Sequence, residues 1–239
     1  MENRKGAAKV ALIIPALNEE DVIAELLSRV PPGVFSSVIV ADNGSTDRTA
    51  DVARHSGASV VCELERGYGA ACLRAIEALP PDTEIVVFIQ ADCSEDPAEA
   101  IRLLEPVVSG RADMVLGSRV LGAADPGSLL PHQRFGNWLA TKLIWLLYRH
   151  RYTDLGPFRA IRLEALRRLR MRERNYGWTV EMQVKALKHG LRILEIPVSY
   201  RTRLAGENKV SGNLRASLQA GYRIIATILR LALTGKGGR

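Results

Sequence analysis

The 239-residue chain is 47% hydrophobic and 25% charged, with a net charge of +7, which is ordinary for a soluble protein long enough to bury a full core. Cys62, Cys72 and Cys93 show no C-x-x-C spacing and the four histidines no metal-ligand spacing, which argues against a disulfide scaffold and against a histidine zinc site. The charge is unevenly divided: residues 1–127 hold 11 Lys/Arg against 20 Asp/Glu, and residues 128–239 hold 22 against 6, so the second half calls for an anionic partner such as phosphate groups, a nucleic acid or an acidic membrane surface.

Taken in chain order, residues 10–14 form an apolar β-branched run that reads as a buried strand, and residues 19–30 follow with Val22, Ile23, Leu26, Leu27 and Val30 on one helical face. Residues 38–40 are a second strand. Residues 46–56 are a helix with Ser45 or Thr46 as its cap. Residues 59–62 make a third strand, 68–79 a helix, 84–89 a fourth strand, and 97–108 a helix opened by Pro97, with Asp96 before it as the cap. Residues 113–116 are a fifth strand. This alternation predicts an α/β fold with a mainly parallel, doubly wound sheet through about residue 120.

The rhythm then changes. Residues 122–131 read as a Gly/Pro/Ala-rich loop, 135–149 as a helix, 158–161 as a strand, and 164–169 and 179–188 as helices. Residues 192–200 return as a strand that Pro197 places at an edge or a bend. A basic loop, 201–212, leads into a long amphipathic helix over 213–233. No run reaches the ~18 apolar residues of a spanning helix, and no signal-peptide pattern opens the chain. The expected location is cytoplasmic, with peripheral association at the inner face of the membrane as an option.

Three strands end in acidic clusters: PALNEE at 15–20, ADNGSTD at 41–47 and QADCSEDP at 90–97. Strand ends of an open α/β sheet are where ligands bind, so the three predict one shared cleft. Asp92 is the leading functional residue, because a carboxylate at a strand end can hold Mg²⁺ or Mn²⁺ against the phosphates of a nucleotide. Neither a G-x-G-x-x-G after the first strand nor a P-loop is present, which argues against nicotinamide or flavin chemistry and against an ATPase. Gly67-Tyr68-Gly69 opens a helix but is a weak signal alone.

These blocks, with ERGYGAA at 65–71, GSR at 117–119, DLGPFRAI at 154–161 and RTRLAGENKVSG at 201–212, together resemble the family 2 glycosyltransferases, especially the dolichyl- and polyprenyl-phosphate sugar synthases. The resemblance implies a GT-A fold, with a transferase domain over 1–212 (1–120 for the nucleotide sugar, 121–212 for the acceptor) and an amphipathic helix over 213–239. It implies a divalent metal on an Asp-x-Asp motif whose second acid is Asp92 and whose first position is Gln90. By the same matching, Pro15, Ala16, Leu17, Glu19, Asp42, Gly67, Gly69, Gln90 and Ala91 are donor-nucleotide contacts, the glycines letting backbone approach the nucleotide.

Arg119, Arg134, Arg201, Arg203 and Lys209 are the cations available to a departing diphosphate or a phosphate acceptor. The implied reaction is inverting transfer of a hexose from a UDP- or GDP-hexose to polyprenyl phosphate. With a hydroxyl acceptor instead, a base is needed, and Asp154 and Glu181 are the choices; Glu181 could equally pair with Lys185 one turn on. The long helix (Leu214, Leu218, Tyr222, Ile225, Leu229, Leu233) and the aromatic 135–149 helix could lie on an anionic membrane, or pack against the core or a second subunit. A nucleic-acid partner is disfavoured, since aromatic residues do not interleave with the basic ones; a catalytically dead sugar-nucleotide sensor stays open because of Gln90.

Overall fold

The computed structural model of the protein describes residues 8–204 and 214–234. Among these residues, seven strands form one sheet: β1 (Val10–Ala16), β2 (Ser37–Asp42), β3 (Ser59–Cys62), β4 (Ile85–Phe88), β5 (Met114–Ser118), β6 (Arg159–Arg162) and β7 (Ile193–Pro197). Their order is β3-β2-β1-β4-β6-β5-β7. Only β6 runs antiparallel, to β4 on one side and β5 on the other. The predicted mixed, mainly parallel sheet is what forms, and β7 lies at its edge, as Pro197 required.

Helices cover both faces: α1 (Ile23–Ser28), α2 (Thr49–His55), α3 (Tyr68–Glu77), α4 (Ala100–Val108), α5 (Pro131–Tyr148), α6 (Leu163–Leu169), α7 (Trp178–Lys188) and α8 (Leu214–Leu233). The period-2 alternation of β1 feeds two separate cores. Leu12 and Ile14 pack with Ile23, Leu26, Leu103 and Val107 of α1 and α4. Ile13 and Phe88 face Ala71, Ile144 and Trp178 of α3, α5 and α7, and α8 adds Ile228 and Leu231 to that cluster. The C-terminal helix is thus partly a core element. Of its expected membrane-facing residues, Ile225 packs against the core, while Tyr222, Leu229 and Leu233 are exposed.

Several boundaries shift for physical reasons. The first helix begins at Ile23 rather than residue 19; residues 20–22 form a turn, and the Glu19 N–H donates to Thr49 Oγ1 at 2.7 Å. The expected cap of α2 at Ser45 or Thr46 is replaced by Asp47, whose carboxylate accepts the Thr49 N–H at 2.9 Å and hydroxyl at 2.5 Å. Asp96 caps as expected, accepting the Ala98 N–H at 3.0 Å. Helix α5 starts at Pro131, four residues early, since proline suits a first helical position.

Chain order sets the location of the cleft. From β1 the chain steps outward to β2 and β3, then returns to the other flank of β1 as β4. The reversal between β1 and β4 leaves a crevice at their carboxyl ends. Pairings of Ala16 with Asp42 and Ile13 with Phe88 align the three acidic strand ends along it.

Candidate functional site

A cleft of about 250 Å³ opens at that reversal point, lined by Pro15, Ala16, Leu17, Glu19, Asn43, Arg66, Gly67, Tyr68, Ala71, Gln90, Ala91, Asp92, Asn175, Tyr176 and Arg203. It brings together nine residues singled out in the sequence: Pro15, Ala16, Leu17, Glu19, Gly67, Gln90, Ala91, Asp92 and Arg203. Asp42 and Gly69 are not in its wall. The Asp42 carboxylate instead accepts the Ser45 N–H at 3.3 Å. Its neighbour Asn43 lines the cleft, donating to the Glu63 and Glu65 carbonyls and accepting the Gly67 N–H at 2.7 Å. Asn43 stood in the quoted block one position on; Asn175 and Tyr176 come from far along the chain and carried no signal.

The two glycines serve a different purpose from the expected approach to a nucleotide. A Cβ at Gly67, where φ is +152°, would run into the Arg174 carbonyl oxygen, and one at Gly69 would meet the Glu173 carbonyl oxygen and lie 2.8 Å from the Arg174 carbonyl carbon. The Ala70 N–H donates to the Arg174 carbonyl at 2.8 Å. Glycine here admits the 173–176 backbone, which delivers Asn175 and Tyr176 to the cleft.

Glu181 holds that same segment from behind. It is 1% exposed. Its carboxylate accepts the N–H groups of Arg172 and Glu173, the latter at 2.7 Å, and pairs with Lys185 at 2.8 Å. It is not in the lining of either cavity described here, so the geometry does not place it as a base; it is a buried anchor, paired one turn on as weighed, though not at the helix surface.

A second cavity, about 620 Å³, lies between the 119–129 segment, the start of α5 and residues 152–154; its wall includes Arg119, Arg134, Trp138, Lys142 and Asp154. Asp154 is 1% exposed. It grips Arg119 through Nε at 2.7 Å, Nη2 at 2.8 Å and the backbone N–H at 2.9 Å. Burial alone would push the Asp154 carboxyl up, but the Arg119 charge and these hydrogen bonds hold it below the ordinary carboxylate value. A carboxylate so engaged is a poor proton acceptor. Arg119 is in turn raised beyond its ordinary value despite its burial, and its guanidinium lies 5.1 Å from the Tyr200 ring centroid.

The remaining cations divide. Arg203 reaches into the donor cleft, paired with Glu19 and 3.7 Å from Asp92. Arg201 turns outward to Asp96 at 3.4 Å. Lys209 lies outside the described residues.

Asp92 stands at the end of the β4 crevice with Oδ1 accepting both the N–H (3.1 Å) and hydroxyl (2.5 Å) of Ser94. The following residue, Cys93, has φ of +59°, an uncommon conformation for a side chain with a Cβ. Burial pushes its thiol up to about 11, so it is no nucleophile at neutral pH. Glu95 is 2% exposed. It accepts the Gln90 N–H at 3.1 Å, and burial pushes its carboxyl up to about 8.

No group of three His, Cys, Asp or Glu suited to a metal occurs among the described residues, which rules out a protein cage built from those side chains there. Magnesium-type sites use one or two carboxylates plus substrate phosphates. Asp92, with Gln90 also in the cleft wall, fits that mode.

Residues 11–170 match the family described as Glycosyl transferase family 2. An uncharacterised glycosyltransferase of Mycobacterium tuberculosis is 38% identical over 220 residues, covering 88% of this chain and 94% of its own. The undecaprenyl-phosphate mannosyltransferase of Micrococcus luteus is 30% identical over 218 residues, 86% of this chain and 89% of its own. Among solved structures, glucosyl-3-phosphoglycerate synthase of Mycobacterium tuberculosis, in complex with Mn²⁺, UDP and glucosyl-3-phosphoglycerate, superimposes with a TM-score of 0.76 at 25% identity, covering 97% of this chain and 82% of that one. The fold is therefore GT-A, the architecture of enzymes that use nucleotide sugars. The chain belongs to glycosyl transferase family 2 and is a glycosyltransferase.

Proposed function

We propose that the protein transfers a hexose from a UDP- or GDP-hexose to the phosphate oxygen of polyprenyl phosphate, inverting the anomeric centre. The observation that carries this reading is the character of the second cavity. Arg119, Arg134 and Lys142 line it, whereas its buried carboxylate, Asp154, is consumed by Arg119. The other acid in its wall, Asp125, sits on an exposed turn. A hydroxyl acceptor needs a free base; a phosphate arrives ionised and needs cations.

In the donor cleft, Asp92 and Gln90 would hold Mg²⁺ or Mn²⁺. Such a cation, when bound, neutralises the charge developing on the leaving diphosphate. Arg203, set between Glu19 and Asp92, is the side chain placed to exchange its carboxylate partners for donor phosphate oxygens. Asn43, Tyr68, Asn175 and Tyr176 complete the wall and orient the nucleotide. Attack on the face opposite the diphosphate sets the stereochemical outcome.

A lipid acceptor is supported by the outer face of α5. Phe135, Trp138, Leu139 and Leu146 are exposed there beside exposed Arg134, Lys142 and Arg149, an apolar and basic surface suited to an anionic leaflet. Among the described residues no helix is long and apolar enough to cross a membrane, so attachment at the cytoplasmic face would be peripheral. A small soluble phosphate ester is the second reading, favoured by the polar side chains Gln133, Asn137, Thr141 and Thr153 in the cavity wall.

The test is a thermal-shift panel of UDP-, GDP- and dTDP-sugars with and without Mn²⁺, followed by transfer assays with polyprenyl phosphate, a soluble phosphate ester and an alcohol. Metal-dependent transfer to either phosphate, and none to the alcohol, is expected. Transfer to the alcohol alone overturns the reading of the second cavity.

A further inference from the structure

Asn175 and Tyr176 line two cavities at once. One is the donor cleft. The other, about 420 Å³, also has Tyr222, Arg223, Thr227 and Arg230 of α8 in its wall. Residues 173–176 are therefore a partition between the cleft and α8, and whatever fixes that partition fixes one side of the cleft.

Its first half is held by backbone. Gly67 and Gly69 admit the Arg174 and Glu173 carbonyls, and Glu181 accepts the Glu173 N–H at 2.7 Å. Asn175 depends on a side chain instead: Glu173 Oε1 accepts its N–H at 3.3 Å. Glu173 stands in sequence between Arg172 and Arg174, yet its carboxylate turns to α8. Its Oε2 accepts the Thr227 hydroxyl and Arg230 Nη2, both at 3.4 Å, and Arg223 Nη1 lies 4.0 Å from Oε1. Glu173 is 9% exposed and Thr227 3%. Gly177 makes room for this approach, since a Cβ there would lie 2.5 Å from Thr227 Oγ1 and 2.8 Å from Glu173 Cγ.

The bonds to α8 are long and both arginines are more than half exposed, so these ion pairs add little to overall stability. Their effect is on position. One carboxylate holds the Asn175 N–H on one oxygen and α8 on the other. Helix α8 is a firm support, because Ile228 and Leu231 are buried in the core and Lys188 of α7 donates to the Leu231 carbonyl at 2.7 Å.

We propose that Glu173 is a positioning residue for the donor nucleotide, tying the Asn175–Tyr176 wall of the cleft to Thr227 and Arg230 of α8. The inference rests on the donor reading of the cleft given above. It makes α8 part of the scaffold of that site, although neither Thr227 nor Arg230 lines the cleft.

Calorimetric titration of UDP and of GDP with Mn²⁺ present, together with donor KM and kcat in the transfer assay, tests it on the native protein, Glu173→Gln, Thr227→Val, Arg230→Met and the Glu173→Gln/Arg230→Met double variant. Thr227→Val keeps the shape and drops the hydroxyl; Arg230→Met keeps an apolar stem and drops the charge. Glu173→Gln is expected to weaken nucleotide binding about fivefold, the scale of one lost hydrogen bond, and to raise the donor KM alike with kcat little changed. Thr227→Val and Arg230→Met should each weaken binding by about twofold or more. The double variant should bind no more weakly than Glu173→Gln, because Arg230 acts through that carboxylate. Native affinity in both α8 variants, or losses that multiply in the double variant, overturns the link to α8. Native affinity in Glu173→Gln, with only its melting temperature lowered, makes the residue purely structural and overturns the proposal while leaving the donor cleft intact. A native protein that binds neither UDP nor GDP overturns the donor reading itself.

Discussion

The proposed donor side and the proposed acceptor side of the molecule are built by different means. On the donor side, three adjacent parallel strands, β2, β1 and β4, end at the crevice, β2 and β1 level with one another and β4 opposite Ile13, and residues at and beyond these ends form much of the cleft wall. Backbone geometry does the placing, so a residue's distance from its strand end suffices to locate it. On the acceptor side, groups are placed by partners far away in sequence: Arg119 by Asp154 and Thr153 by Glu195. There a side chain's chemistry depends on what it is paired with, and pairing engages Asp154, one of the two acids expected to act as bases.

Sharpening that contrast begins with the residue whose loss should cost most. Asp92→Ala is expected to lower the transfer rate by about 10²–10³-fold, the scale for removing one preorganised electrostatic contact, with a folded protein by circular dichroism; native-like turnover would remove Asp92 from the chemistry. Next in size, Asp154→Asn leaves Arg119 buried and unpaired, and should destabilise the fold by about 3–5 kcal/mol in urea unfolding. If stability is unchanged, the ion pair does not organise the acceptor side.

The same pair makes a prediction about pH. Asp154 is held below its unfolded value of about 3.9, so its contribution is full above that value and disappears as pH falls through the lower folded value. The acid limb of the native stability curve should therefore be steeper than that of Asp154→Asn below about pH 4. Coincident acid limbs would show that the carboxylate titrates alike in both states.

Gly69→Ala joins the two sides, because its added carbon meets the Glu173 and Arg174 backbone. A cost of about 1–3 kcal/mol is expected, together with a raised KM for the donor as Asn175 and Tyr176 are displaced. An unaltered KM would mean that these two residues do not hold the nucleotide. The smallest effect concerns the outer surface: Trp138→Glu with Leu139→Glu should weaken binding to anionic vesicles roughly tenfold, from loss of apolar burial, and leave donor binding alone. Unchanged partitioning would assign that face to another partner.

Much of the donor cleft was legible from sequence because apolar runs announce the strands and acids mark their ends. Nine of the wall residues followed from that pattern together with the family resemblance. Asn43 was missed by one position, since strand β2 extends to Asp42 and turns that carboxylate toward Ser45. Asn175 and Tyr176 were out of reach, because nothing local reveals that Gly67 and Gly69 receive the 173–176 backbone. Helix α8 reads as amphipathic either way; only its docking against α5 and α7 tells that Ile228 and Leu231 are core and that Tyr222, Leu229 and Leu233 face outward.

Local pattern alone thus determined the α/β alternation and the three acidic strand ends, because strand periodicity and turn chemistry act over a few residues; the family followed from the resemblance of the ordered blocks. Tertiary structure decided which acids are free. Whether Asp154 or Glu181 can act depends on partners 35 and nine residues away in sequence. In a low-dielectric interior, that pairing governs the chemistry of a charge.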